Sequence, residues 1–207
     1  MVATSVFLSS ESMVAPPMHD NSSNREIAHW ETVDEHATVD WKVVRLRSVT
    51  RVHPQDGRQG RFTVAEAPSW VNIIPITNDG MVVCVRQFRH GVSQITIEIP
   101  GGVVSHGEDP RLAAERECRE ETGYAGDGEA SLLGIVEPNP AFMTNSCYTY
   151  IWHGCTWRGP QELDPNEEID VVLMTVDELR NMVRTGEIRH SLVLSALALF
   201  QLHHHDR

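Results

Sequence analysis

From about Trp41 onward, apolar residues alternate with polar ones at the period of a β-strand. Trp41 to Val49 (WKVVRLRSV) and Arg61 to Ala65 predict two antiparallel strands, joined through the turn-rich stretch His53-Pro54-Gln55-Asp56-Gly57. Trp70 to Ile76 and Met81 to Gln87 predict a second pair, divided by the turn signal Asn78-Asp79-Gly80. Ile95 to Ile99 then leads into Pro100-Gly101-Gly102. Here the pattern becomes helical. Asp109 suits a helix N-cap, Pro110 the first helical position and Gly123 the residue just past the end, so a helix is predicted from about Pro110 to Thr122. Strands follow at Ser131 to Val136, Cys147 to His153 and Val171 to Thr175. Thr175 and Glu178 make a capping box for a helix ending near Gly186. Ser191 starts a last helix whose apolar positions surround it, and such a helix must be buried on most sides. Strands and helices in this mixed order predict an α/β sandwich behind a small antiparallel β unit.

The same periodicity divides the chain. Residues 1–30, rich in Ser, Asn and Met and carrying Pro16-Pro17, have no periodicity and read as a flexible tail. Residues 31–66 form the β unit, 67–202 the main domain, and 203–207, with His203-His204-His205, a C-terminal tail. The apolar VATSVFL near the start is short and lacks the basic region of a secretory signal. At 207 residues the chain can bury a substantial core. Its 17 basic and 29 acidic residues give a net charge of -12, which argues against nucleic-acid binding. No apolar run approaches the roughly 20 residues of a membrane span. Cys84, Cys118, Cys147 and Cys155 show neither metal-binding spacing nor the density of a disulfide framework, so the expected location is the cytoplasm.

The chemistry is concentrated between Gly102 and Tyr124, GVVSHGEDPRLAAERECREETGY. A helix turns about 100° per residue, so Glu117, Glu120 and Glu121 fall within an arc of roughly 100° that also holds Ala113 and Ala114. These carboxylates repel one another unless a cation sits among them. An oxygen-only set suits Mg²⁺ or Mn²⁺, and Mg²⁺ is commonly shared with substrate phosphates. The chemistry suggested is metal-assisted attack of water on a phosphate chain. Glu108, just before the cap, can reach Arg116 and hold the glycine loop against the helix. The bland reading of the segment is a solvated acidic helix with internal ion pairs.

This arrangement of Gly102, Glu108, Arg116, Glu117, Glu120, Glu121 and Gly123 resembles the signature of the Nudix hydrolases, with Cys118 and Tyr124 in its apolar slots. Arg86-Gln87-Phe88-Arg89-His90, Glu98-Ile99-Pro100-Gly101-Gly102 and Glu137-Pro138-Asn139-Pro140-Ala141-Phe142 are similar to runs in the ADP-ribose pyrophosphatase-like subgroup. The resemblance, roughly Val43 to Leu202, implies an α/β/α sandwich with a mixed sheet and a homodimer built through the N-terminal strands. It implies a small nucleotide-sugar substrate, ADP-ribose cleaved to AMP and ribose 5-phosphate, with a GDP-sugar or other nucleotide-sugar as the alternative. A non-catalytic nucleotide-binding module is a third reading, and a hydrolase of nucleoside triphosphates or capped RNA a fourth. The Gly101 carbonyl, Glu117 and Glu121 would ligate the metal, with Glu120 completing the cluster. Glu167 or Glu168, with Glu167 favoured, would act as catalytic base. Gly102, Glu108, Arg116 and Gly123 would be structural. Arg89 is a candidate for gripping the diphosphate or for a salt bridge. Trp70 would stack on the base or fill the core, and Glu98 would meet the sugar or brace its loop. His90 and His190 read as structural rather than catalytic.

Overall fold

The computed structural model describes residues 27–41 and 43–205, so the expected N-terminal tail lies almost wholly outside the described residues. Strands β1 (Glu31–Asp40), β2 (Arg45–Val52) and β3 (Gln59–Glu66) form an antiparallel three-stranded sheet in that order. Two details depart from the sequence reading: β2 begins at Arg45 rather than Trp41, and β1 is a strand that the apolar alternation does not mark. The reason is that β1 is exposed at nearly every position. It is held by its backbone ladder to β2 and by charge pairs across it, with Arg47 2.6 Å from Glu35 and Arg45 3.1 Å from Asp40. Opposite charges facing across strands contribute about 0.2–1 kcal/mol per pair. The sheet joins the rest of the chain at Ala65, whose N–H donates to the Phe142 carbonyl and whose carbonyl accepts from the Thr144 N–H.

The main domain contains β4 (Trp70–Thr77), β5 (Val82–Arg89), β6 (Gln94–Glu98), β7 (Gly101–Val103), α1 (Pro110–Thr122), β8 (Tyr124–Ala125), β9 (Ser131–Val136), β10 (Cys147–Trp157), β11 (Ile169–Met174), α2 (Val176–Thr185) and α3 (Ser191–His205). Its mixed sheet runs β11-β5-β4-β10-β8, with β6 added to β5, β7 to β4 and β9 to β10. The expected β4–β5 pair survives only at Ile76 and Val82, beside the turn that Gly80 makes with positive φ. Beyond it β4 pairs parallel with β10 and antiparallel with β7, while β5 pairs with β6 and β11. Burial explains the split. β4 is enclosed along almost its whole length, and such an apolar run needs a neighbour on each edge and a cover on each face.

Helices supply the covers. On one face, Ala113, Ala114 and Cys118 of α1 pack with Val71, Ile73, Tyr150 and Trp152. On the other, Leu179 of α2 and Val193, Ala196 and Phe200 of α3 pack with Ile74, Cys84, Ile99 and Ile151. The predicted caps are present. Asp109 accepts from the Arg111 and Leu112 N–H groups, Gly123 takes the left-handed conformation, and Thr175 and Glu178 cap α2 reciprocally. α3 continues through His205, past the expected start of the C-terminal tail. It is buried on most sides, although Ala198 and Leu202 face outward.

Candidate active site

The Gly101-Gly102 strand lies between β4 and α1 with no room to spare. A Cβ at Gly101 would stand 2.2 Å from the Val71 carbonyl oxygen, and one at Gly102 would stand 2.5 Å from the Glu117 carboxyl carbon. Glycine at 101 is what lets the strand lie this close to the β4 backbone, while at Gly102 the space is taken by the flexible end of Glu117. The Gly101 N–H donates to Glu121 Oε2 at 3.0 Å, so the loop is tied directly to the acidic face.

Arg116 organises the rest of that face. Its Nε and Nη2 grip Glu108 at 2.9 and 3.1 Å, and Nη2 also donates to the Val103 carbonyl at 3.2 Å. This is the brace expected from the spacing. The structure adds that Nη1 is shared between Glu117 and Glu120, 2.8 Å from each. The Arg116 guanidinium, together with the Ser105 N–H, holds the Glu108 carboxyl down at about 2. Arg116 does not reach Glu121, which is only 5 % exposed. Burial, with the Glu117 charge adding to it, pushes the Glu121 carboxyl up to about 8 despite the Gly101 N–H. Burial also raises Glu117, against the pull of Arg116.

Among the described residues, no group of three His, Cys, Asp or Glu side chains forms a ready-made metal cage. The donor set nevertheless suits a hard divalent cation. It consists of carboxylate and carbonyl oxygens, and its most buried member, Glu121, is held back from ionising by burial and by the neighbouring Glu117 charge, both of which a bound cation would offset. The missing side chain at Gly102 leaves the space beside Glu117 that a Cβ would fill.

The loop between β10 and β11 closes over the end of α1. Gln161 Nε2 donates to the Glu121 carbonyl at 2.5 Å and to the Ile169 carbonyl at 3.1 Å, and the Glu162 N–H donates to the Glu120 carbonyl. Nothing in the sequence pattern singles out Gln161, because its role depends on where a loop returns. Glu167 sits on the same loop, exposed, with its carboxylate accepting from the Asp164 N–H. Its charge bears on Glu117, Glu121 and Arg89, which gathers it with the carboxylate face.

Arg89, Glu98 and Trp70 are arranged differently from one another. Arg89 Nε and Nη2 fork onto Glu98 at 2.8 and 2.6 Å, and Thr96 adds a hydroxyl donor at 2.6 Å. Glu98 is 2 % exposed. Burial raises its carboxyl, but the bonds from Arg89 and Thr96 outweigh it and the group stays below its ordinary value. Glu98 thus braces its own hairpin, and Arg89 makes the salt bridge while remaining near enough to feel Glu121 and Glu167. Trp70 starts β4, half-buried and two residues from Asn72, the partner of Gly101. Strand alternation assigns it to the face carrying Ile74, opposite the face carrying Val71 and α1.

Comparison with known proteins agrees with this geometry. The family model described as the NUDIX domain matches residues 68–196. The chain is 31% identical over 162 residues, 78% of its length and 86% of the relative's, to the "Methanol dehydrogenase activator" of Bacillus methanolicus. It is 25% identical over 173 residues, covering 83% of this chain and 92% of the relative, to an "ADP-ribose pyrophosphatase" of Bacillus subtilis. An "ADP-sugar pyrophosphatase" of Mus musculus is 34% identical over 119 residues, 55% of this chain and 48% of that protein. The crystal structure of an "ADP compounds hydrolase" superposes with a TM-score of 0.75 at 17% identity, covering 86% of this chain and 95% of that one.

Proposed function

This chain belongs to the Nudix family and is a pyrophosphohydrolase, and from that premise we propose that it cleaves ADP-ribose to AMP and ribose 5-phosphate. The observation that carries the reading is the fit of Gly101-Gly102 against Glu117 and Glu121, which gathers largely shielded oxygen donors between β7 and α1. The relatives named for ADP-ribose and ADP-sugar hydrolysis support the substrate class.

Glu117 and Glu121, with the Gly101 carbonyl and Glu120, would hold Mg²⁺ or Mn²⁺. Such an ion, when bound, supplies neutralisation of diphosphate charge and activation of water. The chain's own groups do the rest. Glu167 accepts the proton of the attacking water, a task suited to an exposed carboxylate on a loop above the acidic face. Arg89 contacts the diphosphate by turning Nη2 from Glu98 toward phosphate while Nε stays on the carboxylate. Arg116 and Glu108 keep the glycine strand seated. We further propose that the protein works in the cytoplasm, in keeping with four free, buried cysteines, and as a homodimer. No helix among the described residues is long and apolar enough to cross a membrane.

The test is a substrate panel with Mg²⁺: ADP-ribose, GDP-mannose, diadenosine polyphosphates, NADH, coenzyme A and nucleoside triphosphates. ADP-ribose should show the highest kcat/KM. Preference for GDP-mannose would move the protein to another nucleotide-sugar, and turnover of none would favour a binding module.

A further inference from the structure

The segment entering α3 reaches across to the hairpin that carries Arg89 and Glu98. Arg189 Nη2 donates to Gln94 Oε1 at 2.7 Å, and Gln94 is the residue paired with Arg89 between β5 and β6. The next residue, His190, brings Nδ1 to 3.7 Å from Glu98 Oε2. That nitrogen is shielded from solvent and has no hydrogen-bond partner. The backbone around it is pinned, because the His190 carbonyl accepts from the Leu194 N–H and the Leu192 carbonyl accepts from Asn72 Nδ2 at 3.2 Å. The imidazole is therefore held just short of a carboxylate oxygen it does not bond.

That oxygen is the one Arg89 Nη2 occupies at 2.6 Å. Arg89 Nε and the Thr96 hydroxyl both bond Oε1, so withdrawal of Nη2 leaves Oε2 buried without a donor, which is disfavoured. A phosphate competing for Arg89 would thus be opposed by Glu98 unless another donor took its place. His190 is already aimed at the vacated position.

We propose that His190 is a positioning residue for the substrate diphosphate: it donates to Glu98 Oε2 as phosphate draws Arg89 Nη2 away. The inference rests on the reading of Arg89 as a diphosphate contact. The charged groups facing the imidazole are Glu98 from β6, Arg89 from β5 through the same carboxylate, and Arg189 beside it in its own segment. The imidazole Nδ1–H replaces the lost guanidinium hydrogen bond on Oε2, so the buried carboxylate stays satisfied while phosphate holds Nη2.

The experiment is steady-state hydrolysis of ADP-ribose by the full chain at saturating Mg²⁺. His190→Ala should raise KM about tenfold while kcat stays within about twofold of wild type, because the chemistry is untouched. His190→Gln, which keeps a neutral donor, should give an intermediate KM, and it decides the matter if His190→Ala does not fold. In a Glu98→Gln background, His190→Ala should change nothing further. A wild-type KM retained by both His190 variants, or a fall in kcat at constant KM, would overturn the inference alone. If the wild type does not turn over ADP-ribose, the functional reading fails and takes this inference with it.

Discussion

Glu121 shows most sharply how a single residue couples burial to chemistry. Its carboxyl is raised to about 8 by burial, so the folded protein prefers it protonated. Because the folded value lies above the unfolded one, its contribution to stability is complete below about 4.5 and is lost as pH rises toward about 8. Glu121→Gln should remove that decline: without metal, its melting temperature should fall less than the wild type's between about pH 5 and pH 9. Activity should drop roughly a thousandfold, since the charge that holds the cation is gone. The same substitution at Glu117 should behave similarly in activity. At this scale the sequence was informative wherever residues lie at fixed spacing on one helix. The brace of Glu108 on Arg116 and the acidic face both follow from helical geometry. The neighbours of Gln161, Asn72 and His190 do not, because they come from a distant loop or the far side of the sheet.

Among the elements, α1 and the glycine strand act as one unit. Gly102→Ala would place a Cβ against the flexible end of Glu117, so the fold should survive while the carboxylate shifts. Melting should change little and turnover should fall roughly a hundredfold, the scale of a misplacement near 1 Å. Arg116→Ala should cost about 1–3 kcal/mol of stability and lower activity together, because three carboxylates lose their shared cation. The Glu108 carboxyl, held at about 2, stabilises the fold above about 4.5, and this is lost as pH falls toward 2. Glu108→Gln should flatten the acid limb of a stability titration in that window. Helix boundaries were readable because caps are local chemistry. Strand partners were not: the split of β4 from β5 depends on β10 arriving in parallel from far along the chain.

The whole molecule consists of a buried-strand domain and a thin sheet attached through Ala65. β1 is exposed almost throughout, and Val33, Trp41, Val43 and Phe62 leave apolar surface open on or beside the sheet. A three-stranded sheet with so little of its own core needs a second surface, which we take to be another copy of the chain. Light scattering should find a dimer at micromolar concentration. Removing residues 1–65 should give monomers that bind nucleotide-sugar more weakly while keeping metal affinity. A fully active monomer of the intact chain would contradict this.

At every scale the carboxylates of α1 and the Gly101-Gly102 strand are proposed to form a metal-dependent site for ADP-ribose hydrolysis. The most direct measurement is the Mg²⁺ dependence of AMP and ribose 5-phosphate release from ADP-ribose, for the wild type and Glu121→Gln. The wild type should release equal amounts of both products and lose all activity on chelation, and the variant should release almost none at any Mg²⁺ concentration. Equal turnover by wild type and variant at saturating Mg²⁺, or turnover that persists with chelator, would contradict the proposal.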